Sequence, residues 1–138
     1  MSQQGRDSSQ NQKGNILVID DSVVIRNMLT EVLEDNGFAV TTAEDGEKGC
    51  ELALREFFDV IICDVHMPRM NGLETVREIV NAKPESRVIM TDSMPDKMAQ
   101  QARNEGALTC LQKPFDVVEL RSLINSVISK GATDVDRK

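Results

Sequence analysis

Tryptophan and tyrosine are absent from the 138 residues, and four phenylalanines are the only aromatics. Lacking both, the chain has few ring platforms on which single-stranded nucleic acid could stack. Basic residues are in the minority, 16 against 23 acidic, and the net charge of -7 argues against binding nucleic acid through phosphate neutralisation. One histidine, His66, is too few for a histidine-based metal cluster. The three cysteines, Cys50, Cys63 and Cys110, include no Cys-x-x-Cys pair, so neither a disulfide framework nor a zinc site is indicated. No apolar run reaches 18 residues and the amino terminus has no signal-type stretch, so the chain is not expected to insert into a membrane and is expected in the cytoplasm.

What the chain does have is a set of short apolar runs that end in polar residues. Ile16-Leu17-Val18-Ile19 ends in Asp20-Asp21, and Val60-Ile61-Ile62-Cys63 ends in Asp64. Val88-Ile89-Met90 ends in Thr91, and 107–111 is followed by Gln112-Lys113-Pro114. Runs of this length between helical patterns read as strands buried on both faces of a parallel sheet. Strands are expected at 15–19, 38–42, 59–63, 87–91 and 107–111. Helices are expected between them and after the last. Ser22 can cap the first, which ends before Gly37. Others fall at 46–56, 71–82 and 95–105, with Pro95 placed for a first helical position. Asp116-Val117-Val118-Glu119 reads as a capping box for the last.

The alternation predicts an α/β protein, a doubly wound (βα)5 three-layer sandwich with a parallel sheet of order 2-1-3-4-5. Residues 15–130 form its one domain, and the polar segments 1–14 and 131–138 are expected to be flexible tails. In such a sheet the ligand site lies beyond the carboxyl ends of the strands, where the winding reverses between the first and third. Asp20, Asp21 and Asp64 stand there. Three carboxylates within about 5 Å repel pairwise by roughly 3 kcal/mol at an effective dielectric near 20. Lys113 and a divalent cation are the available compensators, and Mg²⁺ suits a water-accessible site of hard oxygens, with Mn²⁺ able to substitute. A carboxylate beside such cations is arranged to attack phosphorus and become an aspartyl phosphate. Asp64 is the better nucleophile, Asp20 and Asp21 the better metal pair, and the Thr91 hydroxyl could donate to a phosphoryl oxygen.

Asp20-Asp21-Ser22, Asp64-Val65-His66-Met67-Pro68 with Asn71-Gly72-Leu73, Thr91, and Lys113-Pro114-Phe115 together resemble the receiver domain of two-component response regulators, over about residues 14–130. The resemblance implies a flavodoxin-like fold and Asp64 as the phosphorylation site. It implies Asp21, Asp64 and the backbone carbonyl of His66 as Mg²⁺ ligands, with Asp20 acting mostly through water. Thr91 would be the switch hydroxyl, Lys113 the phosphate-binding cation, and Pro114 the bearer of a cis peptide bond. The segment 106–116 is most similar to single-domain phosphorelay intermediates, and chemotaxis-type receivers are also similar. With no output domain expected after residue 130, the signal is expected to pass to another protein, or the phosphoryl group itself to move on. The implied partners are a histidine kinase or histidine phosphotransfer protein and a downstream target. The chain is expected to be a monomer and not an enzyme beyond assisting its own phosphotransfer and dephosphorylation.

Two positions depart from the family pattern. Cys110 stands three residues before the lysine, where an aromatic switch residue is usual. Asp92 follows the switch threonine where a small residue is usual. Asp92, Cys110 and Pro114 are accordingly expected on the switch and output surface, with Asp92 slowing phosphorylation or reshaping partner recognition. His66 is expected to face solvent. Two rival readings follow from other classes. A pseudo-receiver would act as a phosphorylation-independent protein-binding module. An FMN carrier of the same topology would need a Ser/Thr/Gly-rich phosphate loop where Asp20-Asp21 stands.

Overall fold

The computed structural model describes residues 13–92 and 95–137, with side chains at 13–92 and 100–129. Five strands, β1 (Gly14–Ile19), β2 (Phe38–Ala43), β3 (Val60–Asp64), β4 (Val88–Asp92) and β5 (Thr109–Gln112), form one sheet of order β2-β1-β3-β4-β5. Every pairing is parallel. The helices between and after them are α1 (Val23–Asp35), α2 (Gly46–Arg55), α3 (Gly72–Ala82), α4 (Pro95–Asn104) and α5 (Val117–Arg137).

Strand side chains alternate between the two faces, and both faces are covered. Ile16, Val18, Ile62 and Ile89 meet Leu29 and Leu33 of α1 and Leu120 and Ile124 of α5. Leu17, Ile19, Ile61 and Met90 meet Ala53 of α2, Val76 and Ile79 of α3 and Ala102 of α4. Each large apolar side chain so enclosed contributes roughly 1.5–3 kcal/mol relative to exposure. The doubly wound three-layer sandwich read from the sequence is therefore the observed architecture.

Helix starts follow local chemistry. The Ser22 hydroxyl accepts from the Ile25 amide at 3.3 Å and opens α1. Asn71 and Glu74 form a reciprocal capping box at the start of α3. Asp116 accepts from the Val118 amide at 2.8 Å as α5 begins. Gly37 closes the α1 turn with φ at 94°, a conformation that costs glycine no Cβ clash.

The described elements extend past both expected domain bounds. Residues 1–12 of the expected amino-terminal tail lie outside the described residues, but 13 and 14 are ordered into the fold. The Lys13 amide donates to the Gly37 carbonyl at 2.8 Å, and Gly14 is the first residue of β1. At the other end, α5 continues past residue 130 to Arg137. A single interior glycine, Gly131, costs a helix only about 1 kcal/mol, which does not stop one already nucleated by a packed amphipathic face.

Candidate functional site

β1, β3, β4 and β5 all run in one direction, so their carboxyl ends meet at one edge of the sheet. Asp20 follows β1, Asp64 ends β3, Thr91 lies near the end of β4, and Lys113 follows β5. One carboxylate oxygen from each of Asp20, Asp21 and Asp64 lies within 4.8 Å of the others. The Lys113 Nζ donates to Asp20 Oδ2 at 3.0 Å and to Asp64 Oδ1 at 3.2 Å. Asp64 and Thr91 are register partners across β3 and β4.

Asp20, Asp64 and Thr91 are buried, whereas Asp21 is exposed. Asp20 is held firmly: the Ser22 amide donates to its Oδ1 at 2.9 Å, and the Arg26 guanidinium donates to its backbone carbonyl at 2.7 Å. Burial raises the Asp64 pKa to about 6, and the charge of Asp20 adds to the rise while Lys113 opposes it. Burial works against the Lys113 ammonium. The hydrogen bond to Asp20 and the charges of Asp64 and Asp20 outweigh it, and the lysine pKa rises.

One ammonium thus faces three carboxylates. Partly buried like charges at this separation favour protonation of one member, which is the direction seen at Asp64. A divalent cation would remove that conflict. The donor set is hard oxygen throughout, and the exposed Asp21 leaves room for water, so the residues fit an ion such as Mg²⁺ better than a soft metal.

The remaining expected residues are placed as follows. The Lys113–Pro114 peptide is cis. Cys110 is half-buried on β5 beside Met90 of β4. Burial and the charge of Asp92 push its thiol pKa up. Asp92, expected at the switch and output surface, is instead fully enclosed. His66 is 56% exposed, as expected of a solvent-facing residue, but its Nε2 lies 3.0 Å from Asp92 Oδ1. Nothing in the spacing of 66 and 92 signals that pair, which arises from the register of β3 against β4. The Arg26 contact to the Asp20 carbonyl was likewise missed, although its place one turn into the capped helix α1 was a usable signal.

Residues 16–125 match the family described as Response regulator receiver domain. The chain is 32% identical over 120 residues to the probable chemotaxis protein CheY of Rhizobium etli, covering 84% of this chain and 93% of that protein. It is 30% identical over 114 residues to sporulation initiation phosphotransferase F of Bacillus subtilis, covering 82% and 92%. Some relatives are longer: the chain spans 57% of the length of the transcriptional regulatory protein PdtaR of Mycobacterium tuberculosis, at 32% identity over 116 residues and 83% of this chain. Among solved structures, Vibrio cholerae CheY4 superposes with a TM-score of 0.75 at 35% identity, covering 82% of this chain and 97% of that one. The Borrelia burgdorferi CheX-CheY-BeF3-Mg complex superposes with a TM-score of 0.81 at 28% identity, covering 86% and 92%.

Proposed function

The chain belongs to the response regulator receiver family, and on that premise we propose that it takes a phosphoryl group from a phosphohistidine onto Asp64. The observation that carries this reading is the Lys113 ammonium bonded at once to Asp20 and Asp64 at the strand ends. An Asp64 oxygen attacks phosphorus as the bond from phosphorus to the donor's imidazole nitrogen breaks. The electron pair of that bond returns to the imidazole, and a mixed anhydride is left on Asp64. The Lys113 ammonium moves from the carboxylate to a phosphoryl oxygen, where it opposes charge in the transition state. The Thr91 hydroxyl, in register beside Asp64, donates to a second phosphoryl oxygen and draws the end of β4 toward the new group.

A divalent cation, Mg²⁺ or in its place Mn²⁺, held by Asp21, Asp64 and the His66 carbonyl with Asp20 acting mostly through water, would neutralise further phosphoryl charge. Asp20 and Asp21 thereby bind and orient rather than react. The donor is a histidine kinase or a histidine phosphotransfer protein in the cytoplasm. The readout is contact with a target protein or onward phosphotransfer, from a receiver that is monomeric in solution. Cys110 and Pro114 belong to the surface that carries this readout. The Mg-BeF3 complex of the Borrelia relative supports the assignment of the acidic cluster, and the relative named as a sporulation phosphotransferase supports a relay role.

Incubation with acetyl phosphate and Mg²⁺ tests the proposal by intact mass. A gain of one phosphoryl group is expected, lost in Asp64→Asn and on chelation of the metal. Absence of that gain in the wild-type chain would overturn it, and would favour the protein-binding module.

A further inference from the structure

Asp92 is a fully buried acid at a position where the phosphotransfer reading gives it no task. Its carboxylate takes the His66 imidazole, Nε2 to Oδ1 at 3.0 Å. Its backbone carbonyl accepts from the Lys113 amide at 2.7 Å. The loop after Asp64 is stitched to the same place, because the Val65 amide donates to the Thr91 carbonyl at 2.9 Å. Asp92 therefore joins the segment after the acceptor to the segment that carries the ammonium.

The side on which it does so matters. Along β4, Ile89 belongs to the core under α1 and α5, and Met90 to the core under α2, α3 and α4. Strand alternation sends Thr91 with Ile89, and Asp92 with Met90. By the same rule Asp64 follows Ile62 and Thr91 to the α1 and α5 side. The imidazole, two residues past the acceptor and more than half exposed, is thus anchored toward the opposite side of the sheet from the acceptor carboxylate. An exposed ring would otherwise sample several rotamers. Some of them would bring a ring nitrogen to the open mouth of the site, where water must approach phosphorus.

We propose that Asp92 is a positioning residue which parks the His66 imidazole away from Asp64 and so prolongs the life of the phosphorylated state. This inference rests on Asp64 being the phospho-acceptor. In the hydrolysis that it restrains, a water oxygen bonds to phosphorus, and the bond from phosphorus to the Asp64 oxygen breaks. That electron pair returns to the carboxylate, and both protons of the water leave on orthophosphate. A released imidazole would hydrogen-bond the attacking water and hold it in line. Positioning of that kind raises a rate by tenfold or more.

The test is a double-mutant cycle read as the lifetime of the phosphoprotein after the full chain is labelled with a radioactive phosphoryl donor. Asp92→Ala is expected to shorten the lifetime about tenfold when His66 is present, and less than twofold when His66 is alanine. Asp92→Asn, whose amide oxygen can still accept from the ring, is expected to restore most of the lifetime. If Asp92→Ala does not fold, Asp92→Ser, too short to reach the ring, supplies the same cycle. An equal shortening with and without His66 would overturn the inference, because Asp92 would then act on the site directly. An unchanged or longer lifetime in Asp92→Ala would also overturn it. Failure of the wild-type chain to label at all is a separate result, which removes the phospho-acceptor reading and this inference with it.

Discussion

Burial, and after it the charge of Asp20, disfavour the ionised form of Asp64 and raise its pKa from 3.8 to about 6. Between those values the unfolded chain has released a proton that the folded one retains, so stability falls as pH rises through that window. Above it the penalty is complete. In buffer free of divalent cations, Asp64→Asn is therefore expected to be more stable than wild type at pH 7. The gain should be about 1–2 kcal/mol once solvent screening is allowed for, and it should vanish near pH 4. Urea midpoints at the two pH values measure it. A variant less stable than wild type at pH 7 would show that the bond to Lys113 outweighs the repulsion from Asp20. The Lys113 side chain has a second partner in Asp20 at 3.0 Å, so losing the Asp64 charge does not strand the ammonium.

The helix that most directly shapes the loop after Asp64 is α3. Its capping box at Asn71 and Glu74 fixes where it begins, and the Gly72 amide donates to the Val65 carbonyl at 2.8 Å. That bond brings the helix start against the chain just past Asp64. A Cβ at Gly72 would run into the Asp64 carbonyl and the Val65 Cα, both backbone atoms that cannot swing aside. Gly72→Ala is expected to lose about 2–4 kcal/mol in urea, the scale of an overpacked core. It should also slow phosphorylation of the fraction that remains folded, because Asp64 must shift. Asn71→Ala is the control for the cap alone and should cost about 1 kcal/mol with little effect on the phosphorylation rate. Equal stability losses in the two variants would refute the close approach. Lys83 acts elsewhere in the fold: its Nζ donates to the Ala53 and Glu56 carbonyls and closes the end of α2.

Across the entire domain, the acidic site draws on β1, β3 and β5, with β4 in register beside β3. A ligand gripping those ends exists only when the sheet is assembled, so its binding adds to global stability rather than to one segment. At ten times its dissociation constant, Mg²⁺ should raise the unfolding free energy by about 1.4 kcal/mol. The shift should be lost in Asp21→Ala, and amide exchange should slow together in all four of those strands. A midpoint indifferent to Mg²⁺ would mean that the carboxylates are balanced by Lys113 alone. No helix among the described residues is long and apolar enough to cross a membrane.

Apolar runs broken by Asp20, Asp64, Thr91 and Lys113 were enough to read the sheet, its order and the edge where those groups meet. The reason is that a strand buried on both faces leaves no freedom about where its polar end emerges. Ser22, Asn71 and Gly37 were legible for a similar reason, since caps are local and involve residues three or four apart. The end of α5 was not legible, because whether a glycine stops a helix depends on small energies that the sequence does not rank. Nor was the pairing of His66 with Asp92, or the burial of Asp92. Those depend on how β3 and β4 slide past each other and on which face each residue takes, and a shift of one residue would have pointed the acid to the side of Asp64 instead. Short-range chemistry and hydrophobic pattern thus settle the scaffold and the reactive groups, while contacts between distant segments await the packed sheet.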